Sequence, residues 1–423
     1  MVVIRKIAKE VLLLTGVILF LVACENHKNY SDLLSEQNTN SNEIKKILNF
    51  YYKEKDPDKL RGIEYIMESL KTRYQLRYTI TTRKGKRIVL SNPSSDLEID
   101  SLRNIAGNSL IIDTIWLKYI IRAKPLIMHI NNAYSCRGKY AWIKNINNLV
   151  YYNYILPYQV NNENFTNVQE TYRTRFLPFV EDVLSEDFDS IRTLFHYISP
   201  SFDRSNYKGD AFLDFTSNCI NENLLREGKT YNDLEDIAVL HINALRAIGV
   251  PCTYEFTPFL PFAKNGEITI SVFNYQGAPA DSSNYHNFYR FRVAKFYRNE
   301  FNQSKCVNPY RKILDLGVSS NDIPFALNLP NVIDITEKRT ECGKFSIPIR
   351  GKMLSEKVLY LATGNDNYWK VVTWGKVEKT NKVVEFDKVG YGLMYRLAKF
   401  KSGKLFLLEQ PFNVDKEGVI VKQ

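Results

Sequence analysis

A chain of 423 residues, 44% hydrophobic and 13% aromatic, has the length and apolar content for two or three cored domains, which excludes global disorder. Its formal net charge of +11 is scattered along the sequence rather than gathered in runs, so charge alone does not argue for nucleic acid. Six irregularly spaced cysteines with no CxxC pair exclude a zinc ribbon, and no phosphate-binding glycine motif or internal repeat calls for a cofactor.

Arg5, Lys6 and Lys9 open the chain, and residues 11–22 form an apolar run too short for a comfortable membrane span. The run ends in Leu21-Val-Ala-Cys24. This tetrapeptide resembles a bacterial lipobox, which implies a lipoprotein signal peptide over residues 1–23, cleavage before Cys24 and diacylglycerol on its thiol. The expected partner is therefore a membrane, reached through the lipid anchor, on the periplasmic or surface face of the cell envelope. An exported chain rarely meets nucleic acid, and none is expected as a partner. Residues 24–41, rich in Asn and Ser and without periodicity, are expected to form a flexible tether.

From 42 to 165 the pattern is mainly helical. Ile44, Ile47, Leu48, Tyr51 and Tyr52 mark one amphipathic helix, and Leu60, Ile63, Met67 and Leu70 a second, split by Asp56-Pro57-Asp58. Residues 74–90 alternate around Lys84-Gly85, a hairpin signal, and helical spacing returns over 101–132. The stretches Asp58-Lys-Leu-Arg-Gly-Ile-Glu-Tyr-Ile-Met-Glu-Ser-Leu70 and Tyr154-Ile-Leu-Pro-Tyr-Gln-Val-Asn-Asn-Glu163 resemble parts of Bacteroidetes lipoproteins that carry a transglutaminase-like core. Gln159 stands where that resemblance has an Arg.

Residues 166–310 hold the most informative segment, Leu234-Glu-Asp-Ile-Ala-Val-Leu-His-Ile-Asn-Ala-Leu-Arg-Ala-Ile-Gly-Val-Pro251. Asp233 is a good N-cap, Glu235 and Asp236 favour a positive helix end, and Gly249 with Pro251 supplies the stop. Cys252-Thr-Tyr-Glu-Phe-Thr then alternates like a strand. The segment resembles the catalytic helix of the transglutaminase-like, papain-related superfamily, in which a Cys leads into Leu-Arg-Ala-x-Gly-Ile-Pro. That helix exists to hold a thiolate at its N-terminus. Here the Cys position is Leu234, which has no lone pair and no titratable proton.

The resemblance puts the catalytic His at Glu267, within Asn265-Gly-Glu-Ile-Thr-Ile-Ser-Val-Phe-Asn-Tyr-Gln-Gly277, and the third member of the triad at Asp281. The triad-equivalent positions Leu234, Glu267 and Asp281 thus read as degenerate, and a restored dyad needs both Leu234→Cys and Glu267→His. A relocated nucleophile is the alternative. Cys252 reads as a small buried residue at a strand start and His241 as a helix-face histidine bonded to a carbonyl. Whether Cys219 or Cys252 meets a histidine such as His286 is a question for the fold.

Residues 311–423 read as an autonomous C-terminal antiparallel β-sandwich. Short strands recur at 345–349, 358–362, 369–374, 383–386, 393–397 and 405–408, with Gly and Asn turns between. Trp369, Trp374 and Tyr391 are expected to be sandwich core rather than a sugar-stacking platform. The expected fold class is α+β, with a papain/transglutaminase-like core between an N-terminal helical region and the sandwich. Three functional classes follow: a non-catalytic envelope lipoprotein that binds or scaffolds a peptide or glycan ligand, a cysteine-type hydrolase or transglutaminase with a relocated nucleophile, and a structural lipoprotein acting through its β-module.

Cys24→Ser is expected to abolish lipid attachment and to release the protein from the membrane fraction. Metabolic labelling with a palmitate analogue checks this; a mutant labelled as strongly as wild type would refute the lipobox.

Overall fold

A computed structural model of the chain describes residues 30–35, 39–81, 85, 87–90, 110–161, 168–181, 234–260, 265–279, 292–301, 306, 308–327, 329, 331–365, 368–415 and 420–422. Helix α1 (Ser31–Leu34) buries Leu33 against α2 (Ser41–Glu54), so part of the segment expected to be a flexible tether is docked on the fold. Helix α2 buries Ile44, Ile47, Leu48 and Tyr51 of the expected stripe, but Tyr52, one position past Tyr51 and so turned off that face, is exposed. Helix α3 (Pro57–Leu70) begins where Asp56 accepts hydrogen bonds from the amides of Asp58 and Lys59, with Pro57 in the first turn, where its missing N–H costs nothing. Gly62 leaves room for a neighbour: a methyl group there would displace the Tyr134 hydroxyl, which donates to the Asp58 carbonyl at 2.6 Å.

Strands β1 (Tyr74–Thr81) and β2 (Arg87–Leu90) form the expected hairpin. The helix expected over 101–132 is corrected in part. Its described portion starts with strand β3 (Leu110–Trp116), paired with β1 from Tyr74↔Trp116 to Ile80↔Leu110. The β-branched run Ile111, Ile112, Thr114 and Ile115 suits a strand, and a cross-strand partner overrides helical spacing. Helix α4 (Ala123–Lys139) follows, then α5 (Ala141–Lys144), α6 (Asn148–Tyr154) and α7 (Val168–Glu181).

Helix α8 (Leu234–Ala247) packs against α7 and against strands β4 (Cys252–Leu260) and β5 (Asn265–Val272). These belong to a four-stranded antiparallel sheet of order β5-β4-β6-β7, with β6 at Tyr297–Asn299 and β7 at Val332–Asp334. Strand β7 lies beyond residue 311, so the chain passes through helix α9 (Pro309–Asp315) and two 3-10 turns before returning to this sheet. Helix α10 (Thr336–Arg339) leads into the C-terminal strands.

Those strands are β8 (Cys342–Pro348), β9 (Val358–Asn365), β10 (Tyr368–Glu378), β11 (Val383–Gly390), β12 (Met394–Lys401), β13 (Lys404–Leu407), β14 (Phe412–Val414) and β15 (Ile420–Lys422). The expected two-sheet sandwich is corrected: they form one curled eight-stranded antiparallel sheet, with path β15-β14-β12-β9-β10-β11-β8 and β13 beside β12. Curling replaces the second sheet. Phe345 on the edge strand β8 reaches Tyr395 on β12, four positions along the path, with ring centroids 6.4 Å apart. The inner face holds Leu359, Leu361, Val384, Phe386 and Leu397. The outer face, with Tyr360, Ala362 and Val371, is covered by Ile313 of α9 together with Ile323 and Leu327. The class is α+β, and among the described residues no helix is long and apolar enough to cross a membrane.

His129 of α4 is buried and hydrogen-bonded through Nε2 to the Leu156 carbonyl at 2.8 Å; burial pushes its pKa down to about 4. The unfolded chain takes up this proton near pH 6.5, whereas the folded chain does so only near pH 4. Its contribution is therefore whole above the unfolded value and is lost as pH falls through that window. His129→Gln should remove up to about 3 kcal/mol of the stability lost on acidification. Urea midpoints at neutral and acid pH check this, and parallel pH profiles for the two proteins would contradict it.

Candidate functional site

The sequence signature around residue 246 is a device for ending a helix and fastening it. The Val250 amide donates to the Leu245 carbonyl and the Gly249 amide to the Arg246 carbonyl, each at 3.0 Å, a Schellman closure that needs the left-handed φ of +80° at Gly249. A side chain at 249 would also overlap Ile143. The buried Arg246 donates to the Cys252 carbonyl through Nε (3.1 Å) and Nη2 (2.9 Å), tying the helix end to the start of β4. Its Nη1 reaches the Gln159 carbonyl at 3.3 Å. Gln159 is buried in turn, and its side-chain oxygen accepts from Arg73 Nε at 3.4 Å. Arg73, fully buried, lies over the Phe301 ring at 4.5 Å and donates to the carbonyls of Phe301 and Asn161. One glutamine thus serves two buried guanidinium groups, where an Arg at 159 would add a third cation.

Leu234 is the first residue of α8, the position at which the family resemblance puts the thiol. Glu267 lies on β5 opposite Thr257. Strand alternation separates the two faces of this sheet. Cys252, Tyr254, Phe256, Ile268 and Val272 form the apolar face, and Cys252 Sγ donates to the Ile242 carbonyl of α8 at 3.8 Å. Glu267 shares the other face with Thr257 and Glu255, so its carboxylate is turned away from the helix that starts at Leu234. The β5 position turned toward the helix is its neighbour Ile268. Asp281, Cys24, Cys219, His27, His196 and His286 lie outside the described residues.

The four described cysteines, Cys136, Cys252, Cys306 and Cys342, are free thiols. Burial pushes Cys252 up to about 12, burial and then Glu300 push Cys306 up to about 12, and burial also raises Cys136 and Cys342. A thiol so shifted is almost wholly protonated at neutral pH. His241 is buried, as its helix-face position implies. Among the described residues no group of three or more His, Cys, Asp or Glu is placed to hold a metal. Trp369 and Trp374 pack on the outer face of the curled sheet and Tyr391 on the inner face, so the three do not form one platform.

The charged cluster that sequence reasoning missed lies on the Glu267 face. Glu255 is fully buried and accepts from Arg298 Nε at 2.8 Å, with Nη2 at 2.6 Å, while Arg339 of α10 pairs with its second oxygen. Arg298 also lies over the Phe273 ring at 5.0 Å, and Phe273 stacks on Tyr154, whose hydroxyl donates to Glu300 at 2.6 Å. A glutamate in an otherwise apolar alternating strand was the available signal; its partners lie 43 and 84 residues downstream (298 − 255 and 339 − 255) and carry no local mark. The arrangement fixes a carboxylate in place rather than presenting it to a substrate.

No family model, curated protein or solved structure matches the chain.

Glu255→Gln leaves two largely buried guanidinium groups without their carboxylate and should cost about 3–5 kcal/mol. Replacing Glu255, Arg298 and Arg339 together by Met should cost far less, since no charge then stays buried alone. Urea unfolding of both variants is the check, and an unchanged midpoint for the single substitution would show that the cluster does not hold the fold.

Proposed function

We propose that this chain is a lipid-anchored cell-envelope protein with a degenerate transglutaminase-like domain, acting as a non-catalytic binding or scaffold protein for a peptide or glycan ligand. The observation that carries the reading is Leu234 at the start of α8, the helix whose other end keeps the Leu-Arg-Ala-Ile-Gly-Val-Pro sequence. Acyl transfer needs a nucleophile there, and leucine supplies none. Further support comes from the four described thiols, all held protonated by burial, and from Glu267, which faces away from the helix. The roles of residues 245–251 in closing the helix and clamping β4 give a reason for that sequence to persist without chemistry.

Assay of the purified mature protein on generic amide and glutamine substrates is expected to give no turnover. Leu234→Cys with Glu267→His should stay silent as well, because residue 267 lies on the sheet face turned away from α8. Turnover by wild type that disappears with Cys219→Ser or Cys252→Ser would establish a relocated nucleophile and end the non-catalytic reading. Peptide and glycan arrays probed with the same protein identify the ligand class, and the absence of binding on both would remove the binding role.

A further inference from the structure

We infer that the N-terminal helices carry a docking surface for an anionic lipid bilayer, so that the protein lies against the membrane instead of hanging from it; this rests on the lipid anchor at Cys24. The chain leaves little slack. Tyr30, buried and with Lys71 Nζ 5.8 Å from its ring centroid, lies six residues after Cys24. Six residues reach about 22 Å at full extension, whatever their conformation. Helix α2, at 14 residues, is itself about 21 Å long. The lipidated thiol is thus confined to within roughly one helix length of the point where α1 packs on α2.

Between α2 and α4 lies an open groove of about 770 Å³, lined by Lys46, Phe50, Lys124, Ile127 and Met128 among others. Phe50 is 41% exposed on its rim. The adjoining turn adds Tyr119 and Ile120, both exposed, and is fastened to the start of α2 by Asn40, whose side chain donates to the carbonyls of Lys118 and Ile121. Basic side chains surround these apolar ones: Lys124 in the groove, Arg122 beside it, and Lys118 over the Tyr119 ring at 5.1 Å. The groove's carboxylate, Glu43, is engaged by Lys46 at 2.6 Å and by the Ala123 amide at 2.8 Å.

Exposed aromatic and aliphatic side chains ringed by lysine and arginine match the chemistry of an anionic bilayer interface, where rings enter the headgroup layer and cations meet phosphates. A peptide ligand would gain nothing from the short leash to Cys24, whereas a bilayer is already held there.

The test uses the mature chain with Cys24→Ser, which carries no lipid, and vesicles of phosphatidylcholine alone or mixed with phosphatidylglycerol. Co-sedimentation with the mixed vesicles, lost at high salt and weak with phosphatidylcholine alone, is expected. Lys118→Gln with Lys124→Gln should lower partitioning about 25-fold, at about five-fold per charge, and Phe50→Ser should lower it further, with thermal melts unchanged. No binding to the mixed vesicles, or equal binding by the charge variant, overturns the inference. The anchor is tested separately by palmitate-analogue labelling of the Cys24 chain. Labelling without vesicle binding by the Cys24→Ser chain removes the docking surface and leaves the lipoprotein reading intact. Vesicle binding without labelling removes the anchor and leaves the surface.

Discussion

The carboxylate of Glu255, held between Arg298 and Arg339 and shut off from water, is the contact on which the joining of the two sheets turns. A buried charge is tolerated only where partners of opposite sign and good geometry replace its hydration. Here one partner stands on the neighbouring strand β6 and the other on α10, at the threshold of the curled sheet. Any displacement of α10 from the four-stranded sheet would therefore expose or orphan a charge. Other contacts repeat the linkage: Lys295 Nζ spans Asp334 of β7 (2.6 Å) and the Asp387 carbonyl of β11 (2.7 Å), and the Gly390 amide donates to the Ala294 carbonyl at 3.1 Å. With β7 inserted beside β6, the C-terminal sheet is threaded into the preceding layer rather than appended to it.

The same economy of buried charge explains the helix signature. Arg246 and Arg73 are both buried, and both donate to backbone carbonyls around Gln159. These bonds fix the end of α8 relative to β4, the Gln159 loop and the start of β1. The C-terminal half of this helix therefore has a packing role that is independent of which residue stands at 234.

Charge that looks scattered along the sequence is partly gathered by the fold. Lys46 of α2 and Lys124 of α4 lie seventy-eight residues apart in sequence (124 − 46 = 78), yet the packing of the two helices sets both on one groove. If Cys24 carries lipid as proposed, the six residues from it to Tyr30 limit how far Tyr30 can lie from the bilayer.

The sequence by itself determined the elements governed by near neighbours. The stripes of α2 and α3, the Asp56-Pro57 start, the hairpin of β1 and β2 and the Gly249 stop are all legible because their hydrogen bonds and apolar faces lie within a few residues. Leucine at 234 was legible too, and that its side chain carries no nucleophile needs no fold to establish. Only tertiary structure decided the rest. Strand β3 took its conformation from β1, over thirty residues away, against its helical spacing; the C-terminal strands closed one curled sheet because Phe345 and Tyr395 could meet inside it. The face on which Glu267 lies follows from its register with Thr257, and a shift of one residue would have turned it toward the helix. Register, curl and the partners of Glu255 all depend on pairings between distant segments, whose free energy is carried by contacts that no local pattern of residues records.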